Sequence, residues 1–227
     1  MKNLRYALQD RNQLPERLDW LTPEERARYE GFRFDKRQQD WLLGRWAAKQ
    51  ALLELMELPQ SEITRFEILS ASSGAPVASL DGKPYDTGLS ISHSNGRAFS
   101  VVSSETTDLG CDVELVEPRS AAFVDTFFTA AERERVQRAA AEYRDILVTM
   151  IWSAKESTLK ALRTGLKVDT RSVEVIDDSA GEDWRVARAV VADAGEFSCL
   201  WRLDDKFVLS IATRDPVTPS TGCLSCG

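Results

Sequence analysis

Two carboxylates separated by one residue could bind a metal ion. Asp112 and Glu114 lie in the segment 109–116, LGCDVELV, whose apolar and β-branched residues predict a strand. Side chains two residues apart on a strand point to the same face, so the two carboxylates are expected to be neighbours. Like charges this close are costly unless water or a cation neutralises them, and Mg²⁺ prefers carboxylate oxygens. The pair therefore indicates either a magnesium site or a solvated polar strand face.

A helix predicted from Asp145 to Leu162 carries a second group of charged residues. Its apolar stripe consists of Val148, Ile151, Trp152, Leu159 and Leu162. Lys155 falls inside this stripe, whereas Glu156 and Lys160 lie at its edge. A lysine on a buried face needs an anion, which would be a structural carboxylate or the phosphate of a ligand. Glu156 and Lys160 would be site residues or a surface pair one helical turn apart.

His93 is the single histidine of the chain and lies in the segment 90–96, SISHSNG. The sequence predicts a strand at Leu89–Ile91 and then a loop whose backbone N–H groups could approach a phosphate. A loop histidine without a ligand is the alternative. A single histidine excludes an HExxH zinc site, and the chain contains neither a GxSxG nor a GxxxxGK[ST] motif. A serine hydrolase of the α/β type and a P-loop nucleotidase are therefore disfavoured.

The composition limits the class of protein further. The 227 residues are 43% hydrophobic and 29% charged, with a net charge of −7, so a folded domain is expected and nucleic acid is not an expected partner. No run of 18 apolar residues and no secretory signal is present, which predicts a cytoplasmic protein without membrane contact. Cys223 and Cys226 form a CxxC motif in a small-residue segment, which we interpret as part of a flexible tail rather than a zinc site.

The elements that must position these residues show an internal duplication. The segment 46–53 resembles 152–159, and the segment 22–28 resembles 129–135, so two matches occur at nearly the same spacing. Thr22 and Thr129 each begin a predicted helix, as capping residues. The chain thus predicts an α+β fold with two similar halves. The remaining predicted strands are 66–69, 98–102, 110–116, 173–176, 185–191, 197–203 and 207–212.

The predicted halves span residues 1–116 and 117–215, followed by the tail 216–227, because Pro118 ends the strand at the midpoint of the repeat. Two similar halves would pack about a pseudo-twofold axis and leave a cleft that binds a ligand. The first half has Gln50 at the position of Glu156 and lacks the acidic pair. A single asymmetric site is therefore expected.

The motifs SISHS, GCDVE and WSAKESTLK, in this order, resemble those of the 4′-phosphopantetheinyl transferase superfamily, of the longer type that activates peptide and polyketide synthetases. The resemblance implies a monomeric pseudo-dimer of two α+β halves that binds coenzyme A and Mg²⁺. The implied activity is transfer of the phosphopantetheine arm to a serine of an apo carrier protein, which releases 3′,5′-ADP. Whether the carrier belongs to fatty-acid, polyketide or peptide synthesis is left open.

The resemblance also implies roles for individual residues. The metal ligands would be Asp112, Glu114 and Glu156. Lys160 would hold the diphosphate of coenzyme A with support from Lys155, and either Glu156 or Glu132 would accept the serine proton. Arg28 and His93 would hold the 3′-phosphate. The nucleotide would be lined by Ser90, Ile91, Ser92 and His93.

The chain departs from the family at one turn, where Ala75 replaces the usual Lys or Arg between Gly74 and Pro76. Lys83 is the alternative cation.

A non-catalytic homologue that only binds coenzyme A or a carrier is a second possible function, although all three of the carboxylates expected to bind the metal are present. A magnesium-dependent nuclease is disfavoured by the net charge. The aromatic segment with Phe123, Phe127 and Phe128 would be a carrier-docking patch or part of the core.

Overall fold

Each half of the repeat folds into a unit of its own. The computed structural model describes residues 4–104, 108–165, 168–180, 183–214 and 220–221. The first unit takes residues 1–107 and 217–227, and the second takes residues 108–216. Both units combine helices with mainly antiparallel sheets, so the predicted α+β class is confirmed.

The first unit contains a four-stranded sheet covered by a long helix, together with a separate three-stranded sheet. The helices are α1 (Pro23–Glu30) and α2 (Asp35–Leu55). The larger sheet has the order β12-β1-β6-β5 and is formed by β1 (Leu4–Asp10), β5 (Gly88–Ser94), β6 (Arg97–Ser103) and β12 (Ser220–Thr221). The smaller sheet is formed by β2 (Phe66–Ser70), β3 (Pro76–Leu80) and β4 (Lys83–Tyr85). Helix α2 packs on β6, β1 and β5 through small and apolar residues that include the fully buried Ala47, Ala51 and Leu52.

The second unit contains one five-stranded antiparallel sheet in the order β7-β11-β10-β9-β8. Its strands are β7 (Leu109–Leu115), β8 (Val173–Ala180), β9 (Arg185–Val191), β10 (Gly195–Asp204) and β11 (Phe207–Thr213). Its helices are α3 (Ala121–Phe127), α4 (Ala130–Arg138) and α5 (Ala141–Ala161). Helix α5 lies on β7 and β11, so the residues of GCDVE and WSAKESTLK face one another within this unit.

The two units repeat the order of a short capped helix followed by a 21-residue helix. Thr22 and Thr129 accept a hydrogen bond from the backbone N–H of Glu25 and Glu132, and each glutamate bonds back to the N–H of its threonine. This reciprocal capping box fixes the start of each short helix. The predicted duplication and both threonine caps agree with the structure.

The division of the chain differs from the sequence prediction at one strand. Leu109–Leu115 was expected in the first half, but it pairs with β11 and therefore belongs to the second unit. Ser220–Thr221, in the expected tail, pairs in parallel with β1. Cys223 and Cys226 lie outside the described residues. Cys111 and Cys199 are buried free thiols, and none of the described helices is long and apolar enough to cross a membrane.

The segment SISHS lies in strand β5 and not in a loop, which corrects the sequence prediction for His93. Asn95 and Gly96 both have positive φ values, 47° and 81°, and they form the turn of the β5–β6 hairpin. An Asn-Gly pair is the strongest short signal for such a turn. The strand therefore continues to Ser94, because the residues that reverse the chain come only after it.

Candidate functional site

Helix α5 and strand β7 approach each other unusually closely at Gly110. A Cβ atom at this position would lie 1.9 Å from the carbonyl oxygen of Ser157 and 2.6 Å from the backbone nitrogen of Ala161. Only glycine leaves room for this contact. The absence of a side chain here brings the polar edge of α5 against the two residues that follow Gly110.

Lys160 and Asp112 form the centre of this contact. The Lys160 Nζ atom lies 2.7 Å from Asp112 Oδ1 and also donates to the carbonyl oxygen of Cys111 at 3.1 Å. The Asp112 side chain is only 4% exposed, whereas that of Lys160 is 28% exposed. Burial opposes the charge of Lys160, but Asp112, Cys111 and Glu156 together outweigh it, so the pKa of Lys160 is raised above its ordinary value. A cation is thus held at the edge of the acidic strand.

Glu114 and Glu156 lie within electrostatic reach of Asp112. Burial, and then the charge of Asp112, raises the pKa of Glu114 to about 7, although Arg119 at 3.3 Å acts in the opposite direction. Burial also raises the pKa of Glu156, which Lys160 lowers and Asp112 raises further. The repulsion shows that the three expected metal carboxylates share one region of the second unit.

The donor set of this region fits a hard divalent cation. Carboxylate oxygens are the ligands that Mg²⁺ prefers, and a cation would relieve the repulsion around Asp112. Within the part of the chain that the structure describes, no three His, Cys, Asp or Glu side chains are arranged as a metal shell. Lys160 holds Asp112 instead. The residues are thus suited to magnesium by their chemistry, while their arrangement is that of a lysine-neutralised acidic cluster.

Lys155 and Glu132 are placed away from solvent in a buried ion pair. The Lys155 Nζ atom lies 2.9 Å from Glu132 Oε2, and both side chains are fully buried. Lys155 also donates to the carbonyl oxygens of Thr170 and Val173, and Glu132 accepts from the backbone N–H of Val175. The sequence predicts either a structural carboxylate or a ligand phosphate as the partner of Lys155. The structure shows the first of these, the carboxylate of Glu132.

The first unit contains the same arrangement without the acidic cluster. The Lys49 Nζ atom lies 2.6 Å from Glu25 Oε2, both side chains are fully buried, and Glu25 accepts from the backbone N–H of Ile68. Gln50 follows Lys49 where Glu156 follows Lys155. Because the pair recurs where the acidic cluster is absent, the geometry favours a structural role for Glu132 and Lys155. Ligand contacts by these two residues stay predictions.

A second group of charged residues, which includes two of the predicted site residues, lines a pocket of about 530 Å³ in the first unit. Its charged lining residues are Arg28, Lys36, Arg37, Asp40, Arg45 and His93. The guanidinium groups of Arg28 and Arg37 lie 5.3 and 5.6 Å from the centre of the Phe32 ring. Arg28 and His93, to which the resemblance gives one ligand, thus line one pocket.

The residues that precede His93 on β5 face other surroundings. Ser90 and Ser92 are buried, and Ile91 packs against the core of the first unit. Lys83 is exposed on β4 and does not line the pocket. The turn at Gly74 carries Ala75, which has no charged side chain. Within β5, His93 is therefore the residue that lines this pocket, and the lining by Ser90, Ile91 and Ser92 stays a prediction.

The aromatic segment of the second unit belongs to the core. Phe128 is fully buried, and Phe123 and Phe127 pack against Trp152 with ring centres 5.0 and 5.1 Å apart. This favours core packing over a docking patch.

Two residues of these regions were not predicted from the sequence. They are Arg119, which contacts Glu114, and Arg45, which lines the pocket. Arg45 had a signal in its spacing, four residues after Trp41 on one helix.

Comparison with known proteins relates this chain to one family of transferases. A family model described as the 4′-phosphopantetheinyl transferase superfamily matches residues 108–212. The 4′-phosphopantetheinyl transferase psf-1 of Bacillus pumilus is 25% identical over 91% of this chain and 84% of its own length. A human L-aminoadipate-semialdehyde dehydrogenase-phosphopantetheinyl transferase is 23% identical over 95% of this chain and 76% of its own length.

A shorter relative is more similar in sequence. The holo-[acyl-carrier-protein] synthase of Streptococcus agalactiae is 36% identical over 87 residues, which are 36% of this chain and 71% of the relative. Among solved structures, a holo-(acyl-carrier-protein) synthase from Bacillus anthracis in complex with CoA (3′,5′-ADP) is 24% identical, with a TM-score of 0.38 over 44% of this chain and 93% of its own.

Proposed function

The chain belongs to the 4′-phosphopantetheinyl transferase superfamily, whose enzymes transfer the phosphopantetheine arm of coenzyme A to carrier proteins, and we propose that the acidic cluster of its second unit performs this transfer. The observation that carries the proposal is the ion pair between Lys160 and Asp112 beside Glu114 and Glu156. At this ion pair a cationic side chain already neutralises a carboxylate, and an anionic diphosphate could compete with Asp112 for Lys160.

The reaction defines what these residues must supply. The carrier serine oxygen attacks the phosphorus next to the pantetheine, a new P–O bond forms, and the P–O bond to 3′,5′-ADP breaks. The serine proton passes to a base, and charge builds up on the leaving diphosphate. Phosphoryl transfer is therefore catalysed mainly by positioning the reacting oxygens and neutralising charge.

Asp112, Glu114 and Glu156 would hold Mg²⁺, which supplies positive charge to the diphosphate when bound. Lys160 is the residue best placed to bind the diphosphate, because it is partly exposed and its partner Asp112 can turn to a divalent cation instead. A lysine released from Asp112 keeps its charge and gains an anionic ligand.

We assign the serine proton to Glu156 and not to Glu132. Glu156 is partly exposed, so a carrier serine could reach its carboxylate. Glu132 is fully buried, and its oxygens accept from Lys155, Thr129 and Val175. A residue without access to solvent and with both oxygens engaged is poorly suited to accept a proton from a carrier.

Arg28 and His93 would hold the 3′-phosphate of coenzyme A in the pocket of the first unit. Arg28 supplies a guanidinium beside Phe32, and His93 is about half exposed, with its Nδ1 atom 4.0 Å from Asp40 Oδ2. A phosphate monoester beside His93 would favour the protonated imidazole.

We further propose that the active species is a monomer. Light scattering of the enzyme under the conditions of the transfer assay would test this.

Mass spectrometry of carrier proteins tests the proposal directly. The enzyme is incubated with coenzyme A, Mg²⁺ and a panel of apo carriers from fatty-acid, polyketide and peptide synthesis. We expect at least one carrier to gain the mass of one phosphopantetheine group, with formation of 3′,5′-ADP. Coenzyme A binding without any mass gain across the panel would support the non-catalytic homologue instead.

A further inference from the structure

Arg119 contacts one of the expected metal ligands from the loop between β7 and α3. Its Nη2 atom lies 3.3 Å from Glu114 Oε2, and its Nη1 atom lies 3.1 Å from Glu117 Oε1. The two nitrogens of one guanidinium thus contact two different carboxylates. Because Glu117 already balances the single positive charge of Arg119, the guanidinium can remain beside Glu114 when a metal ion binds there.

A closed ring of contacts holds the guanidinium and the Glu114 side chain together. The guanidinium lies 5.4 Å from the centre of the Phe123 ring. Phe123 packs against Trp152, with ring centres 5.0 Å apart. The indole N–H of Trp152 donates to Glu114 and closes the ring. Glu114 is therefore held from the loop by Arg119 and from α5 by Trp152.

This ring restrains a carboxylate that is repelled by its neighbour. Asp112 lies two residues away on the same face of β7, and its charge opposes that of Glu114. The Glu114 side chain is 21% exposed, so without Arg119 the carboxylate could rotate toward water and away from Asp112. A carboxylate has about four acceptor positions. The contacts with Arg119 and Trp152 therefore leave positions for a cation.

We infer that Arg119 is a positioning residue for the metal site, which acts by orienting the Glu114 carboxylate toward Asp112. The inference rests on the proposed function for the identity of the metal, while the orientation rests on the contacts of Arg119. Groups that hydrogen-bond to a metal ligand fix its direction, and their loss typically lowers metal affinity by about 10- to 100-fold. Lys160 differs from Arg119, because its Nζ atom lies on Asp112 and a cation would have to displace it.

The test measures Mg²⁺ binding and not turnover. The unfolding temperature of the enzyme with saturating coenzyme A and no carrier is followed against Mg²⁺ concentration, which gives an apparent affinity. For Arg119→Met we expect this affinity to fall about 10- to 100-fold. Arg119→Lys should lie between wild type and Arg119→Met, because lysine keeps the charge but loses the fork. Tighter Mg²⁺ binding in Arg119→Met would show a competing cation and would overturn the inference.

A double variant shows whether Arg119 acts through Glu114. In Glu114→Gln the carboxylate that Arg119 orients is absent, so adding Arg119→Met should change the Mg²⁺ affinity by less than about twofold. A second loss as large as that in the single Arg119→Met variant would mean that Arg119 affects the metal by another route. That result would also overturn the inference.

Arg188→Met is the matched control. Arg188 lies in the same unit, and its Nη1 atom is also 3.3 Å from a carboxylate, that of Glu196 at the surface. Its loss should leave the Mg²⁺ affinity unchanged. If Arg119 only stabilises the loop before α3, Arg119→Met lowers the unfolding temperature equally at every Mg²⁺ concentration. An unfolding temperature that falls without a change in apparent affinity would contradict the positioning role.

The outcome is independent of whether transfer occurs. An enzyme that modifies carriers but whose Arg119 variants bind Mg²⁺ normally contradicts the role of Arg119 and leaves the proposed function intact. An enzyme that modifies no carrier, yet loses Mg²⁺ affinity in Arg119→Met only while Glu114 is present, contradicts the proposed function and supports the positioning role. If Arg119→Met does not fold, the Mg²⁺ affinity of Arg119→Lys, with and without Glu114→Gln, decides the matter.

Discussion

Glu132 and Lys155 form a fully buried ion pair that repeats, in a different unit, the pair of Glu25 and Lys49. In each pair the glutamate caps its short helix and also accepts a hydrogen bond from a backbone N–H of a strand. This strand residue is Val175 in β8 for Glu132 and Ile68 in β2 for Glu25. One carboxylate therefore joins a helix cap, a long helix and a strand. The repeat indicates that this contact belongs to the fold.

The first prediction compares Lys155→Met with Lys49→Met. Each variant leaves a buried glutamate without its cation, which typically costs about 3–5 kcal/mol of stability. Burial lowers the pKa of both lysines, and the charge of the paired glutamate acts in the opposite direction. We expect similar losses in urea unfolding for both variants, and a large recovery when Glu132→Gln or Glu25→Gln is added to the matching lysine variant.

Single-turnover transfer at a temperature where the variants stay folded separates structure from catalysis. If the pair is structural, Lys155→Met transfers at nearly the wild-type rate with saturating coenzyme A and Mg²⁺, and Lys49→Met does the same. A folded Lys155→Met enzyme with a rate lowered tenfold or more, beside a normal Lys49→Met enzyme, would restore Lys155 to the diphosphate site.

The second prediction concerns Gly110→Ala. The added Cβ would meet the backbone of α5, which cannot move as a side chain can, so the helix must shift away from β7. We expect a stability loss of about 1–3 kcal/mol or more and a lower transfer rate, because Lys160 would separate from Asp112. Gly31→Ala is the control, since its Cβ would meet only ordinary contacts at 3.5 Å. Normal stability and rate in Gly110→Ala would contradict the close approach.

Part of this arrangement was predictable from the sequence and part was not. The alternating residues of β7 and the stripe of α5 predicted which side chains point together, because those patterns depend on local periodicity. Strands β1, β3 and β4 have no such clear pattern and were not among the predicted strands. The partner of Lys155 could not be predicted, because Glu132 reaches it only through tertiary packing. Arg45 was not predicted because its spacing from Trp41 indicates a contact along α2 but does not distinguish a buried arginine from a surface one.

The third prediction is that Asp112→Asn and Glu156→Gln abolish transfer without unfolding the protein. Asp112→Asn loses the ion pair with Lys160 but relieves the repulsion that Asp112 exerts on Glu114 and Glu156. Glu156→Gln relieves part of the same repulsion, and neither amide opens a cavity. We expect unfolding temperatures within a few degrees of the wild type. Glu142→Gln, at an exposed position of the same helix, should leave transfer unchanged. Near-normal turnover by either site variant at low Mg²⁺ would contradict the metal assignment.

The fourth prediction concerns the 3′-phosphate. Arg28→Ala and His93→Ala should each raise the KM for coenzyme A much more than the KM for its 3′-dephospho analogue, by about tenfold or more for the arginine. His93 is about half exposed, so its effect should be smaller and should weaken with added salt. Equal changes with both substrates would move these residues away from that phosphate.

The last prediction uses Lys160→Met to detect the metal site without measuring activity. In the wild type, Lys160 neutralises Asp112, so a divalent cation must displace a positive charge that is already bound there. Removing that charge leaves three carboxylates within reach of one another, which should lower stability in the absence of metal and strengthen the binding of Mg²⁺. A ligand that binds only the folded protein stabilises it in proportion to the logarithm of its concentration. Mg²⁺ should therefore raise the unfolding temperature more in Lys160→Met than in the wild type, while transfer is lost with the diphosphate contact. Adding Asp112→Asn to this variant should remove most of the response to Mg²⁺. An equal response in all three proteins would show that the cation binds elsewhere.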